Sequence, residues 1–277
     1  MTSTETITAL LQKYPASASA RLVWIAKSSG GRRKIVVPNP ELHEWLQAAN
    51  KVLNALHKKW PTFMHGGIKK RSYVSYAEPH VGHRCVITVD IRSCFDSINV
   101  RHITVSLQAM LGIDEEVALS LAKKLCFQGY VAQGFSTSNF VCNLYLLRSL
   151  TVLQQHFSGQ GLTFSNYVDD IAISGVITNA GSVINDVAHE LSRAHLAINK
   201  SKDKIHVMPA TDVQVICGLQ VNKKLTVTQA KKAELVHAVT HKSMNEASIN
   251  GWIANLKRVD PVFAAKLQML TLKKTTR

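Results

Sequence analysis

Apolar residues recur at helical spacing from Glu41 to Trp60, with Leu42, Leu46, Ala49, Leu53 and Leu56 on one face, so a helix is predicted there. Cys85-Val-Ile-Thr-Val89 is instead a continuous β-branched and apolar run, the pattern of a buried strand. Helical spacing returns over Val100–Leu111, over Asp114–Phe127 with Asp114 as N-cap, and over the long Ser136–Phe157. Thr163–Val168 and Ile171–Ser174 read as short strands of a hairpin around Asp169-Asp170, and Ala180–Leu196 as a further helix. Strands are predicted at Ile205–Met208, Val213–Cys217, Gln220–Val221 and Leu225–Val227, the last two around an Asn222-Lys223 turn. Thr228–His241 and the stretch from Ala247 to the end read as basic helices, and Ser28-Ser29-Gly30-Gly31 as a turn or hinge. Interleaved helices, strands and hairpins predict an α+β fold with an antiparallel sheet, not a doubly wound parallel one. There is no internal repeat and no low-complexity segment.

The 277 residues, 46% of them hydrophobic, suffice for a folded chain with a real core. No apolar run is long enough to span a bilayer, so no membrane partner is expected. The polar stretch from Met1 to Ala20 lacks the basic start and apolar middle of a signal peptide, which predicts a cytoplasmic protein. The five cysteines, Cys85, Cys94, Cys126, Cys142 and Cys217, form no CxxC, and all but Cys94 sit in apolar stretches, so buried thiols are expected rather than zinc ligands or disulfides.

A net charge of +15 points to a polyanionic partner. Residues 32–84 hold ten Lys/Arg against three Asp/Glu, residues 200–277 fourteen against five, and residues 85–199 six against nine. Two basic flanks therefore enclose a mildly acidic centre, suited to gripping phosphates at the edges and a metal in the middle, although single lysine runs are commonly solvated surface.

Within that centre, Asp90 closes the first buried strand, and Asp169 and Asp170 sit at the hairpin tip inside Asn166-Tyr-Val-Asp-Asp-Ile171. A carboxylate at the end of a buried strand is costly unless a cation neutralises it. Two adjacent acids at a tight turn repel each other, and a divalent ion relieves this. Hard oxygen ligands suit Mg²⁺, and a pair of such ions can activate an attacking hydroxyl and stabilise a leaving pyrophosphate. By itself an Asp-Asp pair is also an ordinary polar turn.

Tyr167-Val-Asp-Asp170 resembles the Tyr-x-Asp-Asp motif of the reverse transcriptase family. Val89-Asp-Ile-Arg-Ser-Cys-Phe-Asp-Ser-Ile98 is similar to the family's first palm motif. Gln133-Gly-Phe-Ser-Thr-Ser138, continued by Asn143-Leu-Tyr-Leu146, is similar to the Gln-Gly-x-x-x-Ser motif that opens the palm helix. Leu196-Ala-Ile-Asn-Lys-Ser-Lys202 resembles the lysine-bearing fourth motif, Cys217-Gly-Leu219 the primer-grip turn, and Arg33-Lys-Ile-Val-Val-Pro38 the basic fingers motif. The six stand in the family's order across nearly the whole chain. Departures are Asn139 where the family usually has Pro, Asp203 where Thr is common, and Val168 where bacterial members often have Ala.

The resemblance implies a right-hand polymerase fold: an N-terminal segment and fingers over 1–84, a palm over 85–219 with part of the fingers inserted, and a short helical thumb over 220–277. It implies that Asp90, Asp169 and Asp170 hold two Mg²⁺ ions, with Mn²⁺ as a substitute. Phe95 would lie under the sugar of the incoming nucleotide and exclude a 2′-hydroxyl, unless it is simply a core phenylalanine. Gln133 and the Gly134 backbone would contact the same nucleotide. Arg33, Lys34 and the Lys69-Lys70-Arg71 cluster would hold its phosphates. Lys202 would protonate the pyrophosphate, with Lys200 and Lys204 as rivals. Lys231, Lys232, Lys273 and Lys274, together with Lys69, Lys70 and Arg71, would line the nucleic-acid channel.

Ser75-Tyr-Ala-Glu-Pro-His80 resembles the Asn-Ala-x-x-His element of retron enzymes, with Tyr76 in place of Asn, and Ile249-Asn-Gly-Trp-Ile253 resembles a Gly-Trp element of their thumb. Cys217-Gly218 stands where retron enzymes commonly carry Val-Thr-Gly. The lengths leave no room for RNase H, integrase, protease or maturase domains. A retron-type enzyme would use dNTPs to copy a structured noncoding RNA into cDNA, typically priming from an RNA 2′-hydroxyl, in antiphage defence and alongside an effector or toxin protein. The competing readings are another defence-associated reverse transcriptase with its own noncoding RNA, a non-catalytic RNA-binding protein with a polymerase fold, and an RNA-copying RNA polymerase. Phe95 argues against the last.

Overall fold

The computed structural model describes residues 2–26, 31–57, 59–201, 203–241 and 244–275. A capping box between Thr2 and Glu5 opens α1 (Ser3–Gln12). An antiparallel ribbon follows, β1 (Ala20–Ala26) with β2 (Arg32–Pro38), joined to no other strand among the described residues. Ser28, Ser29 and Gly30 of the expected hinge lie outside the described residues. Asn39 caps α2 (Pro40–Leu56), which has Pro40 in its first turn. The helix stops four residues short of the predicted Trp60, where Pro61 disfavours helical backbone in the residue before it.

The middle of the chain runs through α3 (Tyr73–Ala77), a 3₁₀ turn (Glu78–His80), β3 (Cys85–Asp90), α4 (Cys94–Ser97), α5 (Val100–Leu111), α6 (Glu115–Leu125), β4 (Cys126–Phe127), β5 (Tyr130–Val131), α7 (Ser138–Gly159), β6 (Thr163–Tyr167), β7 (Asp170–Gly175), α8 (Ala180–Arg193) and β8 (Ile205–Pro209). Asp114 stands at the N-cap of α6 without a side-chain cap bond. Cys126 and Phe127, expected to finish that helix, start a hairpin instead. Gln128 and Gly129, both at positive φ, make its two-residue turn.

Strands β6-β7-β3-β8 form one antiparallel sheet, as the alternation of elements predicts. Its two faces serve two cores. Ile87, Val89, Ile171 and Ile173 face the main core with α2, α5 and α7. Val86 and Ala172 face a second core shared with α3 and the C-terminal elements. Those elements are a three-stranded sheet of β9 (Val215–Ile216), β10 (Leu219–Gln220) and β11 (Thr226–Val227), then α9 (Gln229–Thr240), α10 (Glu246–Val259) and α11 (Pro261–Thr275). The expected boundary at 219/220 falls inside this small sheet. The single helix expected from Ala247 onward is broken at Asp260-Pro261, because Pro261 lacks an N–H and Asp260 Oδ1 accepts from Phe263 N at 2.9 Å to start a new helix. Cys85, Cys94 and Cys142 are buried as expected, but Cys217 is exposed on the β9–β10 turn.

Lys231 and Lys232 lace the C-terminal helices together. Lys232 Nζ meets Asp260 Oδ2 at 2.6 Å and lies over the Phe263 ring. Lys231 Nζ bonds Glu234 at 2.8 Å and lies 4.4 Å from the centre of the Trp252 ring, which packs on Tyr73. Lys232 thus binds the end of α10 and the start of α11, and its charge holds the Asp260 carboxyl below its ordinary pKa. The side chains of Lys273 and Lys274 lie outside the described residues. Lys232→Glu should cost roughly 2 kcal/mol, the scale of a charge-assisted hydrogen bond, whereas Lys69→Glu, on an exposed lysine, should stay within about 0.5 kcal/mol. Urea denaturation of the two variants checks this. Equal midpoints would mean that the Lys232–Asp260 pair contributes nothing.

Candidate active site

β3 and β7 pair in register from Cys85↔Gly175 to Asp90↔Asp170. Asp90 therefore lies directly across from Asp170, and Asp169 occupies the adjoining β6–β7 turn. Burial, followed by the charges of Asp169 and Asp90, pushes the Asp170 carboxyl up to about 7. Burial first, and Asp90 after it, also raises Asp169, which the Lys204 and Arg33 cations partly offset. The strain extends to the backbone, since Val168, a β-branched residue, sits at φ +58°.

The turn is braced from its own strand and from a neighbouring loop. Asn166 Nδ2 donates to the carbonyls of Val168 at 2.9 Å and Asp170 at 3.2 Å. Residues 63–66 run beside β6, with Asn166 N donating to Phe63 O at 2.7 Å and His65 N to Asn166 O at 2.8 Å. Asn143 Nδ2, from α7, holds Gly66 O at 2.7 Å. Gly66 admits no side chain, because a Cβ there would stand 2.3 Å from Val168 Cγ2 and 2.7 Å from Val168 N. Arg71 serves the same loop. Its guanidinium donates to the carbonyls of Trp60, Pro61 and Met64, while Lys69 and Lys70 remain exposed.

Asp90 is held by a segment that sequence reasoning searched only for its lysine. Asn199 N donates to Asp90 O at 2.8 Å, and Asn199 Nδ2 to Asp90 Oδ1 at 2.9 Å. Lys204 Nζ lies 3.3 Å from Asp90 Oδ2. Lys202 lies outside the described residues, so Lys204 is the lysine of this motif that the structure brings to the acids. With Asp90 turned to Asn199 and Lys204, the described residues form no closed cage of three or more metal ligands. The donor set nevertheless suits a hard divalent cation: three carboxylates lie at one end of the sheet, and burial, reinforced by their mutual repulsion, raises two of them.

The remaining candidates fall around this centre. Phe95, on the one-turn α4, is 9% exposed and packs into the main core. Gln133 O accepts from Val36 N at 2.7 Å. Gly134, at φ +119°, must be glycine because a Cβ there would lie 2.3 Å from Val36 O, so the Gln-Gly pair docks the β1–β2 ribbon. Adjacent strand residues point to opposite faces. Arg33 is felt by Asp169, whereas Lys34 turns the other way, its Nζ 3.9 Å from Asp96, so the two do not share one phosphate. α7 starts at Ser138 despite Asn139. The Cys217-Gly218 turn approaches the acids: the surrounding protein desolvates the sulfur despite its exposure, and that, followed by Asp170 and Asp169, pushes the thiol up to about 12.

Behind the hairpin, His80 is fully buried between β6 and β7, with Nε2 2.6 Å from Ser165 Oγ and Nδ1 2.7 Å from Ser174 Oγ. Ser165 Oγ gives its proton to Tyr76 O at 3.1 Å. It therefore accepts from Nε2–H, which leaves Nδ1 to accept from Ser174. The ring must be neutral, and burial pushes its pKa down to about 3. This is lower than the unfolded value of about 6.5, so the unfolded chain takes the proton first as pH falls. The stabilisation is complete above about pH 6.5 and is lost progressively toward pH 3. His80→Leu, which strands the Ser174 hydroxyl and removes the donor to Ser165, should cost about 1–3 kcal/mol at pH 7.5. The gap between wild type and variant should narrow by pH 5, as measured by urea unfolding at both values. A gap independent of pH would overturn the neutral-histidine assignment.

Residues 25–243 match the family described as reverse transcriptase (RNA-dependent DNA polymerase). The chain is 27% identical over 244 residues to the Retron Ec48 reverse transcriptase of Escherichia coli, covering 83% of this chain and 59% of that one. It is 26% identical to the Retron Se72 reverse transcriptase of Salmonella heidelberg, covering 73% and 58%, and 26% identical to the Retron Mx65 reverse transcriptase of Myxococcus xanthus, covering 88% and 62%. It thus spans about three-fifths of the length of these relatives. Among solved structures, apo telomerase from Candida tropicalis shares the fold with a TM-score of 0.57 at 13% identity, over 98% of this chain and 62% of that one. Telomerase from Candida albicans with a fragment of telomeric RNA gives 0.55 at 13% identity, over 96% and 59%. The shared fold is the right-hand polymerase fold, and the family match runs from the ribbon through the acid-bearing hairpin into α9: the chain belongs to the reverse transcriptase family.

Proposed function

We propose that the protein is an RNA-directed DNA polymerase of the retron type, copying a structured noncoding RNA into cDNA from dNTPs, in the cytoplasm and in antiphage defence with an effector partner. The observation that carries the reading is the convergence of Asp90, Asp169 and Asp170 through one strand register. In the same reading residues 1–84 act as N-terminal segment and fingers, 85–219 as palm and 220–277 as thumb. Its retron character rests on the similarity to retron reverse transcriptases.

Asp90, Asp169 and Asp170 would hold two Mg²⁺ ions, for which Mn²⁺ can substitute; when bound, such ions supply Lewis-acid activation of the primer hydroxyl and neutralise the pyrophosphate. Asn199 fixes the Asp90 carboxylate, and Asn166 fixes the turn that carries Asp169. Arg33 supplies positive charge for the triphosphate. Lys204, beside Asp90, is placed to give a proton to the departing pyrophosphate, the role expected of Lys202. Gln133 and Gly134 set the ribbon over the nucleotide, and Phe95 closes the space that a 2′-hydroxyl would need.

Asp169→Ala with Asp170→Ala should abolish primer extension while leaving the protein folded, because the change removes metal ligands and relieves repulsion. Chelator should stop the wild type, and Mg²⁺ should restore it. Robust synthesis by the double variant would sink the assignment of these acids.

Phe95→Ala should raise ribonucleotide incorporation relative to deoxyribonucleotide. The ratio of kcat/KM for the two substrates is the measurement. An unchanged ratio would make Phe95 an ordinary core residue.

A further inference from the structure

Trp24 is 57% exposed and Tyr130 47% exposed, and no other Trp, Tyr or Phe among the described residues is exposed. Both neighbour Lys34. Trp24 pairs across the ribbon with Lys34 and so shares its face. Lys34 and Tyr130 line the same cleft of about 260 Å³, with Asp96, Phe127, Gln128 and Gln133. Two strand positions from Lys34, the exposed Arg32 adds a second cation to that face.

The cleft lies between two fixed hairpins. Val36 N to Gln133 O, at 2.7 Å, pins the ribbon to the segment after β5. The two-residue Gln128-Gly129 turn and the Asn99↔Tyr130 bridge hold the other wall. The Lys34–Asp96 pair is long and solvated, with side chains 38% and 57% exposed, so it leaves the ammonium available to a phosphate. Neither exposed ring meets another aromatic ring or a cation among the described residues.

We propose that this outer cleft, on the face of the ribbon opposite Arg33, is a second RNA site that takes a single-stranded base between Trp24 and Tyr130. The inference rests on the RNA-copying reading above, but its two stacking residues, Trp24 and Tyr130, stand outside that reading's chemistry. Flat rings offer stacking to any base. Arg32 and Lys34 neutralise the flanking phosphates. The carboxamides of Gln128 and Gln133 and the carboxylate of Asp96 can bond base edges or a 2′-hydroxyl. The volume falls below the roughly 300–1,000 Å³ of drug-sized ligand sites, which suits one splayed base and excludes a duplex. A strand held here would be gripped away from the acids, so RNA capture and templating would be separable.

The probes are 12-nucleotide oligo-U and oligo-A, used with the full chain. Ultraviolet crosslinking should attach RNA to peptides containing Trp24 and Tyr130. Trp24→Ala and Tyr130→Ala should each weaken RNA binding roughly five- to hundredfold. Both should leave the dNTP KM and rate on a pre-annealed primer–template with a two-nucleotide overhang at wild-type values. Trp24→Phe, which keeps a ring, should bind close to wild type and guards against a folding defect in the alanine variant. Unchanged affinity in both alanine variants would overturn the proposal. So would a raised dNTP KM, or crosslinking of free dNTP in place of RNA, since either would make the cleft part of a nucleotide site. Wild-type protein that crosslinks RNA here yet extends no primer would sink the polymerase reading and leave the cleft standing.

Discussion

Asp90 and Asp170 face each other across one strand pairing with Asp169 in the adjoining turn, the three carboxylates repel each other, and much of the surrounding structure opposes that repulsion. The register Asp90↔Asp170 cannot slip by one residue without turning Ile87, Val89, Ile171 and Ile173 out of the main core. Hydrophobic burial on one face thus enforces an electrostatic cost at its end. The cost appears as an Asp170 carboxyl pushed up to about 7 and a β-branched residue at positive φ in the turn. Asn166, Gly66 and Asn143 steady the turn from one side, and His80 locks β6 to β7 behind it. A scaffold this rigid holds the negative charge in place, which is electrostatic preorganisation achieved with neutral amides and one neutral imidazole.

Much of this was legible in the sequence where periodicity and chemistry agreed. Val100–Leu111 is helical end to end, and the apolar strands around Asp169-Asp170 are a hairpin. Long periodic helices and buried strands announce themselves because their side chains all face one core. The β1–β2 ribbon did not, because it pairs only with itself and leaves Trp24, Ile25 and Val37 exposed, so its sequence lacks a buried alternation. The break at Pro261 was missed although proline is the plainest helix-stop signal, since the apolar spacing on both sides continued through it.

The braces were the hardest to see. Asn143, Asn166 and Asn199 each stood inside a motif that drew attention to a neighbour: a palm helix, an acid pair, a lysine. An amide side chain carries no charge and no periodic signature, so its role follows only from what the fold sets opposite it. Arg71 and Lys232 illustrate the converse. Arg71 is expected at phosphates and Lys232 in a nucleic-acid channel, and folding gives the first three backbone carbonyls and the second Asp260 as partners. Net charge reports how many cations a chain has, not how many remain free to meet a partner.

Opposite-facing neighbours on a strand extend that lesson to the ribbon. Arg33 and Lys34 look in sequence like one basic cluster serving the phosphates of one nucleotide. Pleating divides them, sending Arg33 toward the acids and Lys34 to a cleft with its own aromatic walls. The division is fixed by Gly134, whose missing side chain lets Val36 O approach and so sets which face of β2 looks inward. A single glycine contact between the Gln133-Gly134 segment and the ribbon therefore orients both faces of β2 at once. A ribbon free of other strand partners can carry both only because that contact, and the Val36–Gln133 hydrogen bond beside it, prevent it from rolling.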